Sequence, residues 1–285
     1  MPETDKIFEA LNRASSYLLD NGREEAAARI LLQHVLGVTH AGLLASLRDE
    51  LDDNHKEKFW KLIEQHAKGM PVQHLTGCEE FYGRKFMVNA DVLIPRPETE
   101  ELIEEALDLV RRHIANSSPA VADIGTGSGI IAITMKSEIP AAEVTATDIS
   151  QAALATAAKN AELLDADIDF KLGDLLEPLK GRKWDVILSN PPYIAHAEAE
   201  SMSDSVKDFE PYFALFADRE GLALYERMTD DLPDLLNKPG IIGFEIGHSQ
   251  GEAVEKLLKN AFPDAKTYIK KDINKNDRMV FCIIT

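Results

Sequence analysis

Apolar residues over the first seventy positions recur at helical spacing. Ile7, Leu11, Ala14, Leu18 and Leu19 fall along one stripe until Asn21-Gly22 interrupts it. The run REEAAARILLQHVLG follows and stops at Gly37. Then come HAGLLASLRDEL and NHKEKFWKLIEQHAKG, the last carrying Phe59, Leu62, Ile63 and His66 on one side. Short amphipathic helices with short connections predict a small bundle over residues 1–75, helical from residue 4 onward. Trp60, His34 and His66 have no chemical partners in the pattern and are expected to pack or face solvent. Between residues 76 and 95 the period shortens: Phe81-Tyr82, Gly83, Phe86 and Val88 predict two short strands turning near Gly83-Arg84, a hairpin linker.

Residues 96–285 read differently again. Pro95 and Pro97 forbid a regular helix before Glu98, and a helix then runs to about Ile114 with acids in its first turn, where the helix dipole favours them. From residue 120 strand and helix alternate. AVADIG, EVTATD, IDFKL, WDVILSN and GIIGFEIG are the strands; SGIIAITMKSEI, SQAALATAAKNAELL and GLALYERMTDDLPDLLN are helices between them. Such alternation predicts an α/β domain, a mostly parallel sheet covered on both faces. The tail AKTYIKK…DRMVFCIIT predicts two consecutive strands, an antiparallel hairpin.

Charge narrows the partners. Lys plus Arg number 31 against 49 Asp plus Glu, a formal net charge of −18. That balance opposes binding to a phosphate backbone, which depends on cationic neutralisation and counterion release. Basic runs reach only doublets, Arg111-Arg112 and Lys270-Lys271. A small molecule or a protein is expected as partner, not nucleic acid. Cys78 and Cys282 lie far apart with no metal-like spacing, so free thiols and no metal are expected. The start MPETDKIFEA lacks the features of a signal peptide, and no apolar run approaches the ~18 residues of a membrane span. The expectation is a cytoplasmic protein without membrane contact.

The chemistry begins at VADIGTGSGII, which puts Asp123, Gly125, Gly127 and Gly129 where the first strand of the alternating region meets its helix. Glycines there permit left-handed backbone and close approach of a ligand, and ligands of such sheets sit at the carboxyl ends of the strands. Ile130 stands where the dinucleotide fingerprint would have its third glycine. Asp148 ends EVTATD about twenty residues on, the place of a carboxylate that accepts ribose hydroxyls; the competing role is a helix cap for the segment from Ser150. Asp174, in KLGDLL, is similarly placed for an adenine amino group or as a turn residue. A nucleoside is implied, and a nicotinamide dinucleotide and S-adenosylmethionine both fit it.

Asn190-Pro191-Pro192-Tyr193 separates them. Proline fixes its own φ and forces the residue before it into extended backbone. The result is a rigid corner with two acceptors, the Asn190 side-chain oxygen and the Pro191 carbonyl, which suits the two hydrogens of an –NH2 group. The Tyr193 ring is expected on the flat face of the substrate group. Positive charge developing on the attacking nitrogen is stabilised by carbonyl dipoles, and the remaining requirement is alignment with a methyl donor. At a strand end, 65 residues after Gly125, the motif points to methyl transfer onto a planar –NH2.

With these residues in hand, the chain resembles the bacterial release-factor glutamine methyltransferases, the PrmC/HemK family. The likeness runs through PVQHLTG (71–77), LIPRPETEEL (93–102), DIGTGSG (123–129), NPPYI (190–194), FEPYFAL (209–215) and FEIGHSQGEAV (244–254). Asn-Pro-Pro-Tyr alone is shared with DNA adenine and RNA guanine amine methyltransferases. The resemblance implies a Rossmann-like seven-stranded sheet with one antiparallel strand, preceded by a helical bundle that docks a class I peptide-chain release factor. It implies transfer from S-adenosyl-L-methionine, leaving S-adenosyl-L-homocysteine, to the side-chain amide nitrogen (N5) of the glutamine in the factor's Gly-Gly-Gln loop, modulating translation termination. Asp123, Gly125, Thr126, Gly127, Ser128, Gly129, Asp148 and Asn190 would hold the cofactor, with Asp174 and Leu175 by the adenine. Asn190, Pro191, Pro192 and Tyr193 would hold the glutamine, and the segment Pro95-Arg96-Pro97 would form a wall of the pocket. DINKNDRMV and LFADREGL each lack glycines common in the family at those loops. The alternative, an exocyclic-amine methyltransferase acting on RNA or DNA, requires a basic channel that the charge opposes. A nicotinamide oxidoreductase leaves residues 190–193 unexplained, and a silent nucleoside-binding module would bind cofactor without turnover.

Overall fold

The computed structural model describes residues 6–201 and 204–285, so the predicted helical start at residue 4 lies outside the described residues. Its N-terminal unit contains α1 (Ile7–Asp20), α2 (Ala26–Leu36), α3 (His40–Ser46), α4 (Asp53–Ala67) and α5 (Val72–Thr76). On α1 the buried positions are Ile7, Ala10, Ala14 and Leu18, while Leu19 is exposed. Leu19 points about 100° round the helix from Leu18 and falls outside the buried stripe. Phe59 and Ile63 of α4 close that core from the other side. The α2 helix ends on Gly37 in left-handed conformation, and α3 begins at Thr39, whose side chain accepts from the Gly42 N–H. Trp60 packs edge-on against Tyr17, and His66 Nδ1 meets the Met70 carbonyl at 2.7 Å, packing roles for both.

The strands β1 (Cys78–Phe81) and β2 (Arg84–Met87) form the hairpin, turning through Tyr82 and Gly83, both at positive φ. Phe81 and Phe86 meet edge to face within the core beneath the large sheet. The helix α6 (Pro97–His113) begins on its proline, with Glu98 and Glu100 in the first turn and Arg111, Arg112 and His113 in the last.

The sheet alternates with helices as the pattern predicts. Its elements are β3 (Ala120–Ile124), α7 (Ile130–Glu138), β4 (Glu143–Asp148), α8 (Gln151–Leu163), β5 (Ile168–Leu172) and β6 (Trp184–Ser189). A two-residue ladder of β7 (Ile194–Ala195) with β8 (Phe216–Ala217) was not foreseen. The helix α9 (Asp204–Phe209) groups with the N-terminal unit. Then follow α10 (Ala223–Asp231), β9 (Leu236–Glu245), α11 (Gly251–Ala261), β10 (Lys266–Lys271) and β11 (Asp277–Ile284). The predicted helix over GLALYERMTDDLPDLLN stops early, at Asp231, and a short 3-10 turn carrying Pro233 takes over. The following strand accordingly starts at Leu236, before the predicted Gly240.

Seven strands stand in the order β10-β11-β9-β6-β3-β4-β5, with only β11 antiparallel to its neighbours. Their side chains alternate between two cores. Val121, Val186, Leu188 and Ile241 enter one; Ala122, Ile187 and Ile242 enter the other. From β3 the chain winds outward through β4 and β5, then returns to place β6 on the opposite side of β3. That reversal leaves a crevice at the carboxyl ends of β3 and β6, the topological switch point where ligands of open α/β sheets bind. The glycine loop leaves one strand and Asn190 the other.

Candidate active site

The loop after β3 is held from below. The buried Asp123 carboxylate accepts from Thr126 Oγ1 at 2.6 Å and from the Ala132 N–H at 3.1 Å through one oxygen; the other, Oδ1, has no partner among the described residues. Burial, reinforced by the charge of Asp148, pushes Asp123 up to about 7 despite those hydrogen bonds. Gly125 and Gly127 both have positive φ, and a side-chain carbon added to either would meet nothing within 4 Å. Gly129 also has positive φ, but its added carbon would lie 2.9 Å from Ile133 and 3.1 Å from Ala157. The first two glycines therefore leave room for a ligand, and the third leaves room for the protein. Asn160 of α8 ties this loop to its surroundings, donating to the Ser128 and Met87 carbonyls at 2.8 and 3.0 Å.

Asp148 accepts the Gly127 N–H at 2.9 Å on one oxygen and the Ser150 N–H at 2.8 Å on the other. The cap of α8 is Ser150 itself, whose hydroxyl accepts from Ala153. Asp148 is thus free of the competing capping role. A carboxylate offers about four acceptor sites, more than the N–H donors here occupy. Burial raises its pKa, opposed by those N–H donors. Asp174 makes an ion pair with Arg227 at 2.5 Å, and Leu175 beside it takes positive φ while its carbonyl accepts from Thr147.

On the far side, the parallel register Ser189↔Phe244 brings the next residues, Asn190 and Glu245, alongside each other at their strand ends. Asn190 Nδ2 donates to Thr99 Oγ1 at 3.2 Å, and Thr99 Oγ1 donates to Glu245 Oε2 at 2.6 Å. Thr99 stands in the first turn of α6, placed there by the helix start at Pro97. Among the described residues no donor reaches Asn190 Oδ1 or the Pro191 carbonyl, so both acceptors of the corner are available. Tyr193 departs from expectation. Its half-buried ring packs against the second core, outside the residues lining the cavity, and its hydroxyl donates to Glu245 Oε1 at 3.5 Å. Its backbone carbonyl accepts from Gln250 Nε2 at 2.8 Å. Burial, with the nearby Glu245 charge, raises the Tyr193 pKa, so the phenol stays neutral.

Between the two halves lies one cavity of about 560 Å³, lined by Gly125 to Ser128, Asp148, Asp174, Leu175, Asn190, Pro191 and Pro192, and by Pro95 and Arg96. Its volume falls in the range of roughly 300–1,000 Å³ usual for small-molecule sites. The wall at residues 94–96 is fixed by Glu210, which accepts from the Ile94 N–H at 3.1 Å and from Arg96 at 2.5 Å. Opposite stands an aromatic group of His196, Tyr212, Phe213 and Phe216, with Tyr212 and Phe213 largely exposed.

Sequence reasoning missed Thr99, Glu245, Glu210, that aromatic group and Ile149. Ile149 follows Asp148 and leaves its apolar side chain two-thirds exposed (66%) on the cavity wall. A charged residue closing the apolar strand GIIGFE was the signal for Glu245. Among the described residues no cluster of three or more His, Cys, Asp or Glu is placed to hold a metal ion, and no helix is long and apolar enough to cross a membrane.

Comparison with known proteins gives this geometry its setting. Models of the PrmC N-terminal domain and of the methyltransferase small domain match residues 9–77 and 100–208. A release factor glutamine methyltransferase of Bacillus cereus is 46% identical over 278 residues, 97% of this chain and 98% of that protein. The Bacillus subtilis (strain 168) protein of the same name is 45% identical over 281 residues, 98% of each. The hMettl16 catalytic domain, crystallised with a MAT2A 3'UTR hairpin, shares the fold: TM-score 0.57 at 18% identity, covering 74% of this chain and 80% of that one.

Proposed function

Because the chain belongs to the release factor glutamine methyltransferase family, we propose that it methylates the side-chain amide nitrogen (N5) of the glutamine in the Gly-Gly-Gln loop of class I peptide-chain release factors, using S-adenosyl-L-methionine. The observation that carries this reading is the pair of free acceptors, Asn190 Oδ1 and the Pro191 carbonyl, at the switch point of the sheet and across one cavity from the glycine loop. S-adenosyl-L-methionine supplies a methyl group made electrophilic by a sulfonium. The residues fit such a molecule: open glycine faces at 125 and 127, spare acceptor sites on Asp148, an apolar wall at Ile149 and Leu175. Asp123 braces the loop from beneath, and Asp174, paired with Arg227, borders the adenine end.

A primary carboxamide nitrogen is a weak nucleophile because its lone pair is delocalised into the carbonyl. Two fixed acceptors hold both N–H bonds and so aim the nitrogen, and their dipoles stabilise positive charge that develops on it. No strong base stands at the corner, and none is needed before attack; the proton leaves through the acceptors to water afterwards. Pro95 and Arg96, locked by Glu210, flank the entering side chain. Tyr193 serves behind the corner, through Glu245, rather than on the face of the substrate. The N-terminal residues 1–75 are assigned to docking the release factor, and the protein to the cytoplasm, where its substrate works.

The test is direct. The protein is incubated with methyl-labelled S-adenosyl-L-methionine and purified release factor, and the label is mapped by mass spectrometry. Label on the loop glutamine is expected; label elsewhere in the factor, or none, contradicts the proposal.

A further inference from the structure

An asparagine amide has two ends of nearly the same shape, and only its hydrogen-bond partners decide which end faces a ligand. For Asn190 that decision is made behind the corner. We propose that Thr99 and Glu245 are positioning residues that set the direction of the Asn190 amide, turning its oxygen toward the methyl acceptor. The proposal rests on the reading of Asn190 given above, and extends it.

The argument follows the hydrogens. Thr99 Oγ1 lies 2.6 Å from Glu245 Oε2, and an ionised carboxylate can only accept. The single hydroxyl hydrogen of Thr99 is therefore committed to Glu245. What remains on Thr99 is lone pairs, so its neighbour at 3.2 Å, Asn190, must present its –NH2 there. The amide oxygen is then left for the cavity. Thr99 and Glu245 are both fully or almost fully buried, so no water is at hand to substitute for either link, and a half-made polar network in such surroundings is costly. Were the amide reversed, its –NH2 would meet the –NH2 of the substrate, donors against donors.

The direction holds only while Glu245 accepts. Around it stand Thr99, the Tyr193 hydroxyl at 3.5 Å, the Tyr225 hydroxyl bonded to its backbone carbonyl at 2.6 Å, the cation Arg278 and the like charge of Glu98. Burial pushes Glu245 up to about 7, against the pull of Thr99 and Arg278. Below that pH the carboxyl carries a hydrogen of its own and can donate to Thr99. The hydroxyl is then released to donate toward Asn190, and the direction of the amide is no longer imposed. Methyl transfer should accordingly lose rate on the acid side of about pH 7 while cofactor binding does not.

Single-turnover transfer to purified release factor, measured from about pH 5.5 to about pH 8.5, tests this with the full-length protein and its Thr99→Val, Thr99→Ser and Glu245→Gln variants. Thr99→Val keeps the shape and removes the hydroxyl; a loss of about tenfold or more is expected, equivalent to about 1.4 kcal/mol, with cofactor affinity within about twofold of wild type. Thr99→Ser restores the hydroxyl and should restore most of the rate. Glu245→Gln has no titrating proton and, like the protonated acid, can donate to Thr99, so its rate should stay near the acid-side level of wild type and no longer fall below about pH 7. Equal rates for Thr99→Val and Thr99→Ser overturn the proposal, and so does an acid fall unchanged in Glu245→Gln. The pH profile of Glu245→Gln decides the matter even where Thr99→Val fails to fold. A wild-type protein that places no label on the loop glutamine overturns the parent reading instead; labelled glutamine with insensitive variants overturns this relay alone.

Discussion

Around Gly125 and Gly127 the cavity is shaped by what is missing, since no side chain occupies the space in front of the backbone. Around Asn190 it is shaped by side chains held from behind, through Thr99 and Glu245, on elements far apart in the chain. The glycine side offers room, backbone and one carboxylate, and is suited to a ligand with many weak contacts. The asparagine side offers two acceptors at a fixed angle, and is suited to one small group whose nitrogen must be aimed. The proposed function gives binding and alignment to different halves of one pocket, and substitutions should separate them.

The widest separation is expected at Asn190→Ala. Removing an aimed dipole from a reacting group lowers rates by roughly a hundred- to a thousandfold, so single-turnover methyl transfer should fall by about that much. Titration calorimetry should find cofactor affinity within about threefold of wild type. Gly127→Val should do the reverse. Its side chain enters the cavity at positive φ, and loss of cofactor affinity by roughly tenfold or more is expected, with the transfer rate at saturating cofactor far less affected. Gly129→Ala sharpens the point within the loop itself. Its methyl group strikes Ile133 and Ala157 rather than the cavity, so thermal unfolding should show a loss of about 1–3 kcal/mol and little change in affinity for the protein that remains folded.

Asp148→Asn probes the carboxylate that faces the pocket. Charge-assisted hydrogen bonds are about twice as strong as neutral ones, and a fall in cofactor affinity of roughly tenfold is expected, again by calorimetry. The smallest effect concerns stability. Glu245 has its folded pKa raised to about 7 from 4.5. Stability attached to this group is therefore full below the unfolded pKa and is lost as pH rises through the folded one. Glu245→Gln escapes that loss: thermal melts should show a gain on the order of 1–3 kcal/mol at about pH 8 and none at about pH 4.5. Equal gains at both pH values would contradict the assigned burial cost.

Much of this was legible in the residues, for reasons that differ between the halves. The alternation from residue 120 onward and the glycine run at 125–129 are local signals, each written within a few positions and each imposed by backbone geometry. Asn190-Pro191-Pro192 is likewise local, because proline stiffens its own neighbourhood. The relay behind it is not. Asn190 and Thr99 are 91 residues apart, and Thr99 and Glu245 are 146 apart; they meet through strand order and register, which periodicity does not encode. The packing of the Tyr193 ring against the second core, and the bond from Gln250 to its carbonyl, likewise join residues far apart in the chain. The split of the glycines into two that face open space and one that faces packed helices also needed the packed neighbours, since all three have the same φ sign.

The central claim is that a proline-stiffened pair of oxygen acceptors takes hold of a primary carboxamide. A crystal structure of the protein with S-adenosyl-L-homocysteine and a release factor bound tests it most directly. The loop glutamine should place its amide nitrogen within about 3.2 Å of both Asn190 Oδ1 and the Pro191 carbonyl, facing the cofactor sulfur. A glutamine amide bound elsewhere, or an Asn190 that turns its –NH2 toward it, would contradict the account.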